Sequence, residues 1–341
     1  MAQKTRSSAL VLGGLLLSCG SPASVPQPAG RELASNQQSP YGIAVSGGKV
    51  YWTTEGTGGN GYTDGTIVEI SEDGGAPVTL ATKQHDPVAI AVGGTTAYWA
   101  CEGTMAGNYS DGVIVALPMG ATTPVTLATN QDAPDAIAVD GTNVYWANSG
   151  TSAGNYTNGS IVKAALAGGT PVTLAAAQQY PDGIAVDDKS IYWINQGTMA
   201  SSDSDGAVVS VPIAGGQVVT LAASQAAPTG IFLDATGLWV ANVGTKAGNG
   251  SVVRVTVTGG SPVTLASNQS GPVGVAVDTM NAYWANLGTT EGEGSIMASA
   301  VDGGAATLLA GNEGDPYGIA VGPTDVFWTC HGAGTVMKIS K

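Results

Sequence analysis

Short apolar runs alternate with turn-forming clusters throughout the chain, and one such unit recurs along it. Its clearest copy is Tyr180-Pro-Asp-Gly-Ile-Ala-Val-Asp-Asp-Lys-Ser-Ile-Tyr-Trp-Ile-Asn, ending at Asn195. An apolar run, a turn and a second apolar run with a Tyr-Trp step make up the unit. The step falls at Tyr51-Trp52, Tyr98-Trp99, Tyr145-Trp146, Tyr192-Trp193 and Tyr283-Trp284, with Leu238-Trp239 and Phe327-Trp328 in the fifth and seventh copies. The copies run Gln37–Lys83, Gln84–Asn130, Gln131–Ala177, Gln178–Ser224, Gln225–Asn268, Gln269–Asn312 and Glu313–Lys341. Each full copy holds four runs, which in the fourth are Gly183–Val186, Ile191–Ile194, Ala207–Val211 and Gln217–Ala222. Val, Ile, Thr and aromatics fill them, and Gly, Pro, Asn and Asp bound them, so they read as strands. Beyond the first thirty residues, helical spacing never persists for more than two turns.

Four strands at a period near 45 residues mark a propeller blade. The pattern predicts an all-β fold, a seven-bladed β-propeller of four-stranded blades over residues 31–341. The last copy is 29 residues long against 47 or 44 for the others, and it stops after its third strand, Thr335–Ile339. The missing strand is at the other end of the chain. Leu33-Ala-Ser-Asn-Gln37 repeats Leu265-Ala-Ser-Asn-Gln269 letter for letter. The N-terminal strand is therefore expected to complete the seventh blade. A closed ring hides the edges that a linear solenoid would expose.

The first thirty residues differ from the ring. Lys4 and Arg6 precede an apolar segment, Ala9–Leu17, that is too short to span a bilayer. Leu16-Leu17-Ser18-Cys19 resembles the bacterial lipobox. That resemblance implies a signal peptide over 1–18, lipidation of Cys19 and a Pro/Ala-rich tether over 19–30. Gly20 in place of Asp implies the outer membrane. Without Lys4 and Arg6 the 11 basic residues fall to 9 against 25 acidic, a net charge of −16. Such a surface excludes nucleic acid as a partner and favours cations.

The first strand of each blade is expected to line the channel. Asp140, Asp187, Asp234 and Asp278 then become turn formers at the lower face, and the Tyr-Trp step becomes core. The loops after the second strand and the Gln-x-x-Pro links between blades lie on the upper face. Departures from the repeat gather there. Just past the Tyr-Trp step the copies carry Thr54, Cys101, Asn148, Asn195, Asn242, Asn286 and Cys330. The next position carries Glu55, Glu102, Ser149, Gln196, Val243, Leu287 and His331. Blades seven, one and two hold the ionisable choices, and His85 sits in the link between blades one and two.

Glu55, His85, Cys101, Glu102, Cys330 and His331 therefore form one candidate sector, for a divalent metal or for a thiol beside an imidazole. Second strands two blades apart are about 15–20 Å from each other, which excludes a Cys101–Cys330 disulfide. Tyr62, Tyr109 and Tyr156, at the loop tips of blades one to three, form a candidate binding rim. Asp203-Ser-Asp205-Gly206 has the composition of a calcium loop but not its ligand spacing, and reads as an Asp-rich turn.

Pro181-Asp-Gly-Ile-Ala-Val-Asp187 with Ile191-Tyr-Trp193 resembles two propeller families, the YWTD repeat of lipoprotein receptors and the NHL-like group that includes streptogramin lyases. The resemblance covers residues 31–341. YWTD propellers have six blades and a motif ending in Thr-Asp, where this chain has Thr53-Thr54, Ala100-Cys101 or Ala147-Asn148. A lyase of the second group implies His and Glu with a divalent metal, and the chain offers His85 and His331. Two functions follow as expectations. The first is a lipid-anchored, monomeric binding module whose upper face takes a protein, peptide or glycan. The second is a metal-dependent lyase or hydrolase of the streptogramin-lyase or regucalcin-like kind.

Overall fold

The computed structural model describes residues 29–198, 201–290 and 292–341. The expected signal peptide, Cys19 and the tether up to residue 28 lie outside them. Among the described residues, 28 strands form seven separate four-stranded antiparallel sheets. The fold is a seven-bladed β-propeller. In the fourth blade the strands are Pro181–Val186, Ser190–Asn195, Gly206–Pro212 and Val219–Gln225, in sequence order from the channel outwards. The outer strand starts two residues later than the sequence pattern suggests. Gly215 and Gly216 hold the preceding turn at φ 85° and 137°, a region open to glycine and strained for other residues. The inner strand of each blade touches the next, and that of the seventh, Pro316–Val321, touches Pro40–Ser46 of the first.

The seventh blade closes as the sequence leads one to expect. Arg31–Ala34 pairs antiparallel with Thr335–Ser340, with Arg31 opposite Lys338 and Ala34 opposite Val336. Gln37 N–H then donates to the Gly334 carbonyl at 2.9 Å.

The core is distributed over the seams between blades. Alternation along the second strand sends Tyr toward one neighbour and Trp toward the other. Tyr98 shares a buried cluster with Trp146 of the next blade, and Tyr145 shares one with Trp193. Each tyrosine hydroxyl then needs a partner at the lower face. Tyr145 donates to Asp140 at 2.6 Å and Tyr192 to Asp187 at 2.9 Å. These Asp side chains also accept backbone N–H groups of their own turns.

Two devices repeat at the seams. At five seams the Gln at or just past the end of an outer strand accepts the indole N–H of the following blade. The pairs are Trp52 with Gln37, Trp99 with Gln84, Trp146 with Gln131, Trp193 with Gln178 and Trp284 with Gln269, all between 2.8 and 3.1 Å. At the seam into the seventh blade Glu313 replaces Gln and accepts from Trp328 at 3.0 Å. The second device is a steric fit. The glycine that opens each third strand leaves room for the link proline of the next blade. A Cβ on Gly65, Gly112, Gly159, Gly206, Gly250 or Gly294 would come within 2.4 Å of that ring.

Blade five departs from the expected register. Ile231 pairs with Val240 where Val275 of blade six pairs with Trp284. Val240 thus holds the Trp position and Trp239 holds the Tyr position. A shift of one residue on a strand moves a side chain to the opposite face. Trp239 accordingly packs with Trp284 of blade six under the guanidinium of Arg254, 5.4 Å from its ring. Its indole N–H is buried and finds no hydrogen-bond partner among the described residues.

Candidate functional site

Two rings of side chains surround the upper mouth of the channel. The first comes from the residue after each link proline: Tyr41, Val88, Asp135, Asp182, Thr229, Val273 and Tyr317. With the two residues that follow each of them, they line a central cavity of about 210 Å³. The second ring follows the second strands: Glu55, Glu102, Ser149, Gln196, Val243, Leu287 and His331. In all seven blades its backbone N–H donates to the carbonyl of the residue before the link proline. Examples are Glu55 to Ser39 at 3.1 Å, Glu102 to Asp86 at 2.9 Å and His331 to Asp315 at 3.0 Å. A fixed backbone thus holds a variable side chain at each position.

The sector expected from blades seven, one and two is assembled in part. His331 Nε2 lies 3.3 Å from Glu55 Oε2, across the junction of the first and last blades. Glu55 and Glu102 are buried, at 3% and 1% exposure. The His331 ring meets the Tyr41 ring edge-on at 6.2 Å, and Tyr41 packs on Tyr317 with ring centres 4.2 Å apart.

Glu102 holds the equivalent ring position on blade two, and the other three expected members lie apart from the pair. Cys101 and Cys330 are buried free thiols that replace Asn in the seams. Cys101 Sγ faces Gln84 Oε1 at 3.8 Å and Cys330 Sγ faces Glu313 Oε2 at 3.3 Å. Asn148 Nδ2 donates to Gln131 Oε1 in the same way at 3.1 Å. Burial and the Glu313 carboxylate push the Cys330 thiol up to about 12. Burial and the Asp86 charge push Cys101 far above the ordinary thiol range. Neither supplies thiolate at neutral pH. His85 is exposed on its link, toward the loop of Asp111, whose carboxylate feels its charge.

The lyase resemblance implies a divalent metal, and the donor set does not fit one. Among the described residues no three His, Cys, Asp or Glu side chains are grouped to hold an ion. Asp203-Ser-Asp205 is a loop brace. Asp205 accepts the backbone N–H and the hydroxyl of Thr198 at 2.7 and 2.9 Å, as Asp64 does from Thr57 and Asp111 from Thr104.

The expected tyrosine rim is also partly structural. Tyr62, Tyr109 and Tyr156 have φ of 58°, 57° and 56°, a left-handed conformation uncommon for bulky residues. Their carbonyls accept the N–H of Asp86, Ala133 and Tyr180 in the next link at 2.8, 2.7 and 2.8 Å. Each thereby ties an upper loop to the following blade. Their rings are half-buried rather than projecting. Tyr156 meets Tyr180 edge-on at 5.2 Å.

Sequence reasoning passed over Tyr41, Asp135, Tyr180, Asp182 and Tyr317. The signal was available. The residue after each link proline varies widely ahead of a nearly constant Gly/Ala-Ile/Val pair. Burial, then the charges of Asp135, Asp182 and Glu102, raise the Tyr180 phenol well above its usual range. Carboxylates from blades two, three and four thus lie near one phenol at the mouth.

No family model matches the chain, and no curated protein matches it in sequence. Solved structures do. Virginiamycin B lyase from Staphylococcus aureus superposes with a TM-score of 0.69 at 16% identity, covering 91% of this chain and 97% of that one. A catalytically inactive variant of that lyase with quinupristin gives 0.67 at 16% identity, over 92% and 98% of the two chains. A nidogen/laminin complex gives 0.53 at 20% identity, over 68% and 87%. The likeness is one of fold.

Proposed function

We propose that this chain is a lipid-anchored binding protein of a bacterial cell envelope, taking a protein, peptide or glycan ligand at the upper mouth of its propeller. The observation that carries this reading is where the repeat is broken. The stacked tyrosines Tyr41 and Tyr317 line one cavity with Asp135 and Asp182, and the His331–Glu55 pair adjoins it through the Tyr41 ring. The lower face instead keeps one Asp turn through blades three to six. A concave site with a few convergent polar groups and aromatics is the usual form of a ligand pocket. The solved neighbours give the reading company, since one is an enzyme named for virginiamycin B and another is seen in a complex with laminin.

Capture of partners from an envelope extract by immobilised protein tests the face. The paired change Tyr41→Ala and Tyr317→Ala should lower capture at least tenfold, while Lys189→Ala on a lower-face turn should leave it unchanged. Equal capture by all three proteins overturns the assignment. For the anchor, attachment through Cys19 to the outer membrane predicts palmitate labelling that disappears in Cys19→Ser. Labelling that persists in that variant excludes this cysteine.

The His331–Glu55 pair favours one second reading, a lyase or hydrolase in which the carboxylate orients the imidazole as a general base. Elemental analysis of the purified protein separates that reading in its metal-dependent form. A stoichiometric divalent ion that is lost on His331→Ala supports the metal-dependent enzyme, and metal-free protein overturns that form.

A further inference from the structure

We infer that the channel mouth selects a cationic side chain, the ammonium of lysine or the guanidinium of arginine, carried by the ligand of the upper face; this deepens the binding reading and rests on it. Asp135 and Asp182 occupy equivalent positions on the adjacent blades three and four, and both line the cavity. Blades seven and one, across the ring, place the stacked pair Tyr41 and Tyr317 on the same cavity. Carboxylates on one wall and an aromatic pair on the other complement a cation with an aliphatic stem. The charge meets the acids, and the stem and the delocalised head lie against the rings.

Three further observations agree. Among the described residues lining the cavity there is no lysine or arginine. A third carboxylate is close by, since Glu102 acts with both aspartates, after burial, to raise the Tyr180 phenol. The cavity of about 210 Å³ lies below the roughly 300–1,000 Å³ of a pocket for a drug-sized ligand, in keeping with one long side chain. A mouth of one charge sign between low-dielectric walls also focuses its field outward, and the whole chain carries a formal charge of −14.

The same chemistry could come from a free amine or from a side chain on a peptide, and calorimetric titration distinguishes the sources. The probes are blocked Gly-Gly-X-Gly-Gly peptides with X as arginine, lysine, citrulline or norleucine, together with n-butylammonium and ethylguanidinium ions. The expected result is binding of the arginine and lysine peptides, weakened at least tenfold by citrulline or norleucine and by rising salt. The paired change Asp135→Asn and Asp182→Asn should remove the preference for charge. Binding of the small ions as tight as that of the peptides would assign the mouth to free amines and overturn the peptide-borne form. Equal binding of charged and neutral peptides, or binding of none of them, overturns the inference. Equal binding leaves the upper-face reading standing, because the Tyr41/Tyr317 variant tests that reading separately. Should the double variant fail to fold, Asp182→Asn alone is titrated in the same way.

Discussion

Trp239 and Trp284 are both fully buried, and they differ in what their indole nitrogens meet. Trp284 donates to Gln269 at 2.9 Å, while the Trp239 nitrogen has no acceptor among the described residues. Changing each to Phe removes similar aromatic surface, but only Trp284→Phe breaks a hydrogen bond. A buried hydrogen bond contributes about 0.5–1.5 kcal/mol net, and an unsatisfied donor costs about 1–3 kcal/mol. Trp284→Phe should therefore destabilise the protein by about 1–2 kcal/mol more than Trp239→Phe, measured by urea unfolding. Equal losses would mean the indole contacts add nothing at the seams. Seven tryptophans spaced once per repeat could be read directly from the chain. The one-residue offset in blade five could not, since Leu238-Trp239 satisfies the same local pattern. Asn242, aligned with Asn286, was the clue to the true register. Cys101 and Cys330 were legible as exceptions but not as seam residues, because their partners lie 17 positions upstream on another blade.

At the level of elements, the seventh sheet is built from both ends of the chain. Arg31–Ala34 supplies its outer strand, and Gln37 accepts from Trp52 of blade one. Removing residues through 37 would uncover the edge of Thr335–Ser340 and cut one seam contact. Unpaired edges invite association. The truncated protein should melt at least about 5 °C lower than the intact chain and form larger species in gel filtration. A monomer of unchanged melting temperature would show that the strand is dispensable. This closure was legible because the terminal strand repeats the letters of an internal one. The inner ring was less so, because the repeat itself hides it: a position just after Pro and just before Gly reads as turn until the ring closes around it.

Across the whole molecule, carboxylates set the response to acid. Burial raises Asp140, Asp187 and Asp278, but hydrogen bonds more than offset it. Tyr145 bonds to Asp140, the N–H groups of Lys189 and Ser190 bond to Asp187, and Lys341 bonds to Asp278. All three end below the ordinary carboxylate value. A carboxylate depressed by folding contributes stability that is complete above its unfolded value, near 3.9, and is lost as pH falls through the folded value. Glu72 and Asp203, raised chiefly by burial, act in the opposite sense. Through the depressed group, the melting temperature should drop below about pH 4. A melting temperature that climbs between pH 5 and 3 would contradict this. Blade five has a last consequence at this scale. Its junction with blade four keeps the Asn242–Gln225 bond at 3.2 Å but has valine where the other six carry indole. If the wheel breathes, that spoke is where it parts first, and amide protons there should trade with deuterium ahead of those in the remaining joints.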